Sequence, residues 1–506
     1  MISGTVTSSP AYVPSPQHLA IAATLIVHPS TTTRAKTTEE REAANLSLQL
    51  LRLTNSLIGS ISAKFEVAFA FTHFSSSRHG GRRRVDDGAM SKEISHDDTE
   101  PLNLDMGQAG SLWSRGEDFW HVVGWAFNCS ILHPKRWERW ELWLHFMCEV
   151  LEGDWAERQR RLDLLDRGPQ PTTPSEKCDI ILKESLIFKY ITTATAGYGR
   201  NRRILRAIFA DGSLTSLNEF REVFKNEKKE LKEDGDKPKK REVNVNIDQD
   251  EYGDYLAKDE EDTSDETGES RARRKRPKRG SKNLDISPTV EIGEARNLVD
   301  SIYANGGVTS FGGLQSLELR KRLLYLLSMV STELPKAFIP LEELYHMFVE
   351  NIRHLPLPVF QAFVAPPALP AFSPNAQTTL CEFLLFPMLE SAAPDTDEEY
   401  LNQEKLEKCF LPYAANTSSV VDNAKVSILL EALLCLLAES DMLRISPGLK
   451  EAVKNGILAR NQKAQDETRR SLNSRLVEDI EWCWLIESGE RLMYLVEDVL
   501  PPKEKN

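Results

Sequence analysis

The chain has 506 residues, of which 41% are hydrophobic and 27% charged, and a formal net charge of -13. That length and apolar content allow more than one domain and substantial cores. The acidic balance excludes non-specific nucleic-acid binding by the chain as a whole, because phosphate binding needs cationic surface, so any such contact must be local.

The first apolar stretch, LAIAATLIV from Leu19 to Val27, follows no basic residue and has no convincing small-residue cleavage site. It reads poorly as a signal peptide, and the absence of Arg from the first thirty residues argues against a mitochondrial presequence. Next, TEEREAANLSLQLLRLTNSLIGSI places Leu46, Leu50, Leu53 and Leu57 at steps of four, three and four, one face of an amphipathic helix. The segment KFEVAFAFTHF at 64–74 suits a strand by composition, but its context favours helix. Residues 75–101 lose apolar periodicity and are expected to form a disordered insert.

Residues 111–155 carry seven of the nine tryptophans. Ser114 and Glu117 have the spacing of a capping box, after which Trp120, Val123 and Phe127 recur at helical steps. Pro134 suits the first position of a second helix. There Trp137, Trp140, Leu144, Met147 and Leu151 form one stripe, and Trp143, Phe146 and Val150 an adjoining one. Glu138, Glu141, His145 and Glu152 take the remaining face. Aromatic stripes at this spacing are expected to be core. Lys135, Arg136 and Arg139 at the helix start read either as a solvated edge or as part of a partner surface.

Cys129, His133, His145 and Cys148 are metal-competent residue types, but C-x3-H followed by H-x2-C matches no established zinc spacing, so no metal is expected. Further on, Gly197 and Gly199 precede a helix carrying Arg200, Arg202, Arg203 and Arg206, a cluster that can meet an anion or an acidic partner. The bland alternative is a solvated basic helix end.

From about Phe224 to Ser287 charge replaces periodicity, which predicts a disordered interdomain linker. Within it RARRKRPKRGSK supplies Arg271, Arg273, Arg274, Lys275, Arg276, Lys278 and Arg279, the composition of a nuclear import signal or a nucleic-acid tether. Thr263 and Ser264 lie just upstream among acidic residues, as acidophilic kinases require, and phosphates there would counter the basic run.

Beyond the linker, Leu314–Val330, the stripe Leu344, Phe348, Ile352 and Leu355, and the segments Thr378–Leu389, Leu401–Phe410 and Leu472–Leu500 read as helices. Residues 356–374 hold too many prolines for one continuous helix and read as an ordered loop or strap. The run Val426–Leu437 contains Glu431 and is shorter than the roughly 20 residues a bilayer span needs, so it reads as a central buried helix. Seven scattered cysteines fit free thiols in a reducing compartment.

The expected fold is all-α, an irregular helical array of bundle or HEAT-like solenoid kind, without a fixed repeat. Its expected parts are a helical domain at 1–224, a charged linker at 225–287 and a second helical domain at 288–500. No phosphate loop, HExxH, GxSxG elbow or dinucleotide fingerprint is present, and no cofactor is expected. These features point to a non-catalytic nuclear scaffold or adaptor, a subunit of a multiprotein complex in chromatin maintenance or genome stability, with protein partners and no membrane. Two other readings remain. One is a direct DNA binder using 200–206 and 271–282; the other is an enzyme with a dispersed site around His121, His133 and His145.

Overall fold

A computed structural model describes residues 12–71, 104–166, 174–194, 199–229, 311–366, 372–394, 400–468 and 475–499. The expected insert at 75–101, the basic run at 271–282, Thr263 and Ser264 lie outside the described residues. The fold is all-α: among the described residues there are eighteen α-helices and no strand, only one antiparallel bridge between Leu389 and Ala415.

Ten helices precede residue 230: α1 (Pro16–Val27), α2 (Thr38–Ile58), α3 (Phe65–Ala68), α4 (Leu112–Arg115), α5 (Phe119–Leu132), α6 (Pro134–Asp166), α7 (Pro174–Lys183), α8 (Leu186–Thr193), α9 (Arg200–Ile208) and α10 (Leu214–Glu219). The tryptophan segment forms α5 and α6, an antiparallel hairpin broken where Pro134 opens the second helix. All seven of its tryptophans are buried. The capping expectation shifts by one turn. Asp118, not Ser114, caps α5, its carboxylate accepting from His121 N at 2.7 Å, while Ser114 sits inside the short α4.

Helix α5 is buried on every face because α6, α9 and α10 surround it. Gly124 makes one of these contacts possible, since a Cβ there would lie 2.3 Å from the Phe220 ring. Arg136 is neither a solvated edge nor a partner contact. It is buried, and its guanidinium donates to Glu227 Oε1, Thr32 Oγ1 and the Val27 carbonyl, while Trp140 Nε1 donates to the same Glu227 oxygen at 2.7 Å. Glu227 is thereby fixed in the core, and residues 225–229, assigned to the linker by composition, are part of the fold.

Helix α2 forms as expected, opened by a capping box between Thr37 and Glu40. Its buried face is a different one, however: Ala44, Ser47, Leu48, Leu51 and Thr54 pack inward, and Leu46, Leu50, Leu53 and Leu57 face water.

Eight helices follow residue 310: α11 (Gly313–Glu333), α12 (Leu341–Ile352), α13 (Leu357–Val364), α14 (Pro374–Leu385), α15 (Gln403–Lys405), α16 (Val420–Glu439), α17 (Pro447–Thr468) and α18 (Arg475–Tyr494). Helix α16, which contains the Val426–Leu437 run, is the buried centre, contacted by α13, α14, α17 and α18. The strap expected at 356–374 proves instead to contain a helix, α13. Pro358 sits in its first turn, where a missing N–H costs nothing, and Pro374 opens α14. No helix among the described residues is long and apolar enough to cross a membrane.

The helices on either side of 230–310 share one hydrophobic core and belong to one compact unit. Arg320 of α11 donates to the carbonyls of Ile208 and Ala210, Arg322 holds Glu152 of α6 through two hydrogen bonds of 2.8 Å, and Phe209 stacks on Phe363 at 5.7 Å.

Candidate functional site

The tryptophan hairpin is a filled core. Trp113 Nε1 donates to the Ala20 carbonyl at 3.0 Å and Trp120 Nε1 to that of Tyr190 at 2.9 Å, while Phe119 stacks on Tyr190 at 4.3 Å. Each contact uses an indole or a ring to hold a neighbouring helix.

The three histidines near the hairpin go to separate places. His121 is buried, with Nε2 at 3.1 Å from the Arg221 carbonyl, and burial holds its pKa below the ordinary value. His133 ends α5 and is likewise lowered, first by burial. His145 lies across from Arg322, its Nδ1 at 3.2 Å from the guanidinium, and is lowered by burial and by that cation. Cys129 and Cys148 are buried thiols; burial pushes the Cys148 pKa up to about 12 and that of Cys129 well above its ordinary value. Among the described residues no group of three or more His, Cys, Asp or Glu side chains is placed to hold one ion.

The arginine cluster of α9 is largely matched by carboxylates. Arg202 meets Glu350 at 2.9 Å, Arg203 meets Asp118 at 2.6 Å and Glu117 at 3.4 Å, and Arg206 meets Glu219 at 2.7 Å. Arg200, half-buried at the helix start, lines a shallow cavity of about 530 Å³ that also presents Glu343 and Glu350. Those two carboxylates oppose an anion. Sequence reasoning located the cations but had no access to partners lying up to 148 positions away.

A groove of about 1140 Å³ lies among α11, α12, α14 and the C-terminal end of α16. Its walls carry Tyr325, Met329, Phe372, Phe383, Leu436 and Leu437. Tyr400, 77% exposed, and Met442, 51% exposed, stand at its edge as accessible apolar contacts. Three of its hydroxyls are spent on their own helices: Ser328 donates to the Leu324 carbonyl, Thr332 to that of Ser328 and Ser440 to that of Leu436. Tyr345 is buried against one wall, and burial pushes its phenol up to about 12.

The charge in the groove has one sign. Among the described residues, Glu333, Glu342 and Glu382 line it, and no Lys, Arg or His does. Glu382 is held 2.8 Å from the buried Lys405, whose ammonium lies 5.7 Å from the ring centres of both Phe386 and Phe410. That leaves Glu333 and Glu342 as the outward carboxylates, the latter 3.9 Å from His346 one turn along α12. Aromatic and thioether surface with a few carboxylates suits recognition of a chain segment that carries apolar anchors and basic groups.

Sequence reasoning missed this groove, because its walls come from five separate stretches between 325 and 442 together with Gln159. The only trace was the number of helices predicted there. No family model matches the chain, and neither a curated protein nor a solved structure proves similar to it.

Proposed function

We propose that the protein is a non-catalytic helical scaffold or adaptor that docks a basic, apolar segment of a partner protein in the groove among α11, α12, α14 and α16. The observation that carries this reading is the groove's lining: aromatic and aliphatic walls, an acidic rim and, among the described residues, no lining cation. Hot-spot anchors are typically buried aromatic and Arg side chains, and Tyr325 and Tyr400 offer aromatic surface for an arginine to cover. Consistent with this, the titratable groups at the groove do not converge on a common point. Glu382 is paired with Lys405, and Tyr345 stays protonated.

The nuclear location and the place in a chromatin or genome-stability complex rest on the basic run at 271–282 and belong to the same proposal. Direct DNA binding has less support, because Arg202, Arg203 and Arg206 face carboxylates of the chain itself.

The test uses the full chain with a photo-crosslinking residue at Tyr400, expressed in its native cells, and identifies the captured segment by mass spectrometry. The reading expects a segment rich in Lys or Arg beside apolar anchors, its capture reduced by high salt and by the double substitution Glu333→Gln with Glu342→Gln. Capture of segments without basic residues, or capture indifferent to both changes, would overturn it. Neutralising 271–282 in parallel tests location: unchanged nuclear residence removes the import reading.

A further inference from the structure

We propose that α2 is a homodimerisation helix, its exposed leucine stripe pairing antiparallel with the same stripe of a second copy of this chain. The stripe is unusual for a surface helix. Leu46, Leu50, Leu53 and Leu57 are 61%, 41%, 58% and 70% exposed, and Tyr12 at 85% and Val13 at 42% adjoin it. Between the stripe and the start of α1 runs a groove of about 440 Å³, where Leu50, Leu53 and Leu57 face Tyr12, Pro14 and His18. Scattered exposed leucines need no explanation, but a contiguous apolar patch with coiled-coil spacing does.

The spacing itself selects the occupant. Steps of four, three and four set Leu50 and Leu57 at heptad position a and Leu46 and Leu53 at d. The order reads the same in both directions. A two-fold axis midway between Leu50 and Leu53 therefore brings Leu50 onto Leu53 of the second copy, and Leu46 onto its Leu57. Every a residue then meets a d residue, and the surface is self-complementary as a two-fold interface requires.

Charge agrees with this pairing. The flanking positions on the open side of the seam are Gln49 and Ser56, both uncharged, and those on the other side, Ser47 and Thr54, are buried in the chain's own core, so two copies meet without repulsion along its length. Arg52, one step further out, is engaged with Glu149 at 3.5 Å. The acidic residues Glu39, Glu40 and Glu42 gather at one end of the helix. Parallel pairing would place both sets together, whereas antiparallel pairing puts them at opposite ends.

Area fits as well. Covering the stripe with Tyr12 and Val13 on two copies removes on the order of 1,200 Å² from water, the lower bound of specific interfaces.

Sedimentation equilibrium of the full chain from about 1 to 100 µM tests this, with Leu53→Glu as the breaking variant. Leu53 is exposed, so this change leaves the fold intact, which the far-UV spectrum and melting curve verify. The expected result is a monomer–dimer equilibrium that Leu53→Glu weakens by at least about tenfold. Register is read by oxidation of two forms carrying Cys483→Ser: Leu50→Cys with Leu53→Cys should give a covalent dimer, Leu50→Cys alone much less. A chain monomeric throughout, a dimer indifferent to Leu53→Glu, or efficient cross-linking through Cys at position 50 alone each overturns the proposal.

Discussion

At the scale of the single residue, buried cations decide where helices meet. Arg320 is fully buried and has no carboxylate hydrogen-bonded to it. Its guanidinium lies between the rings of Phe127 at 4.0 Å and Phe311 at 3.9 Å, Nη2 donates to the Ala210 carbonyl at 2.9 Å, and Nε donates to Ser316 Oγ at 3.1 Å. Burial lowers its pKa well below the usual arginine value, with only the charge of Asp211 opposing. What compensates is geometry: a planar fork that satisfies two carbonyls while both faces are covered by rings. Truncation to Ala leaves the carbonyls of Ile208 and Ala210 without this donor and opens a cavity between two aromatics. Arg320→Ala should therefore lower the unfolding free energy by about 3 kcal/mol or more, read from urea denaturation. Arg320→Lys should recover little of it, since one ammonium cannot span both carbonyls and stack as well. A lysine variant as stable as the parent would show that charge, not shape, is what matters. This site was partly legible. Leu317, Arg320, Leu324 and Leu327 share one helical face, and an arginine inside an apolar stripe is a visible anomaly; its partners, about 110 positions away, were not.

At the scale of the element, periodicity located helices well, and erred where a choice depended on neighbours. Helix α5 was legible from its apolar rhythm, but SLWSRGED offers two capping residues four apart, Ser114 and Asp118, and rhythm alone does not choose between them. Asp118 prevails because its carboxylate caps the helix and also meets Arg203 of α9 at 2.6 Å, so one side chain satisfies two elements. The consequence is an asymmetry between two alanine variants. Asp118→Ala removes the cap, worth about 1 kcal/mol, and deprives a mostly buried arginine of its nearest partner, for a total of roughly 2 kcal/mol or more. Ser114→Ala should stay within about 0.5 kcal/mol of the parent. Thermal melts of the two variants, with Asp118→Asn as a cap-retaining control of intermediate effect, check the assignment; equal losses would return the cap to Ser114. The leucine stripe of α2 was misjudged for the same kind of reason. Amphipathicity identifies a face but not which way it points, and here Ala44, Leu48 and Leu51 fit the close approach of α1 and α6 that a row of four leucines would prevent. Proline did exclude one continuous helix over 356–374, but the loop or strap inferred from it overlooked that a proline can open a helix, and Pro358 occupies a first turn.

At the scale of the whole molecule, the sequence reads as two helical halves, and composition cannot say whether halves touch. The structure answers through contacts that no local pattern encodes. Arg322 clasps Glu152, Arg202 meets Glu350, Phe209 packs against Phe311 and Phe363, and Ser316 Oγ donates to Ser130 Oγ at 3.4 Å. Most of the energy at this junction comes from apolar surface shared by α5, α6, α9, α11 and α12, because exposed ion pairs such as Arg202 with Glu350 contribute little. The covalent connection through 230–310 is thus dispensable for holding the halves together. A protease recognition sequence inserted within 230–310, cleaved after folding, should yield two fragments that co-elute as one particle under native conditions and separate in denaturant. The association should survive about 0.5 M salt, since screening weakens surface pairs but not buried apolar contact, and it should weaken sharply in Arg320→Ala, whose side chain bridges the junction. Fragments that separate on cleavage in native buffer would refute a shared core. If the cut chain stays whole, one helical unit presents both the acidic groove and the α2 stripe, so that the proposed partner docking and self-association would proceed on the same particle.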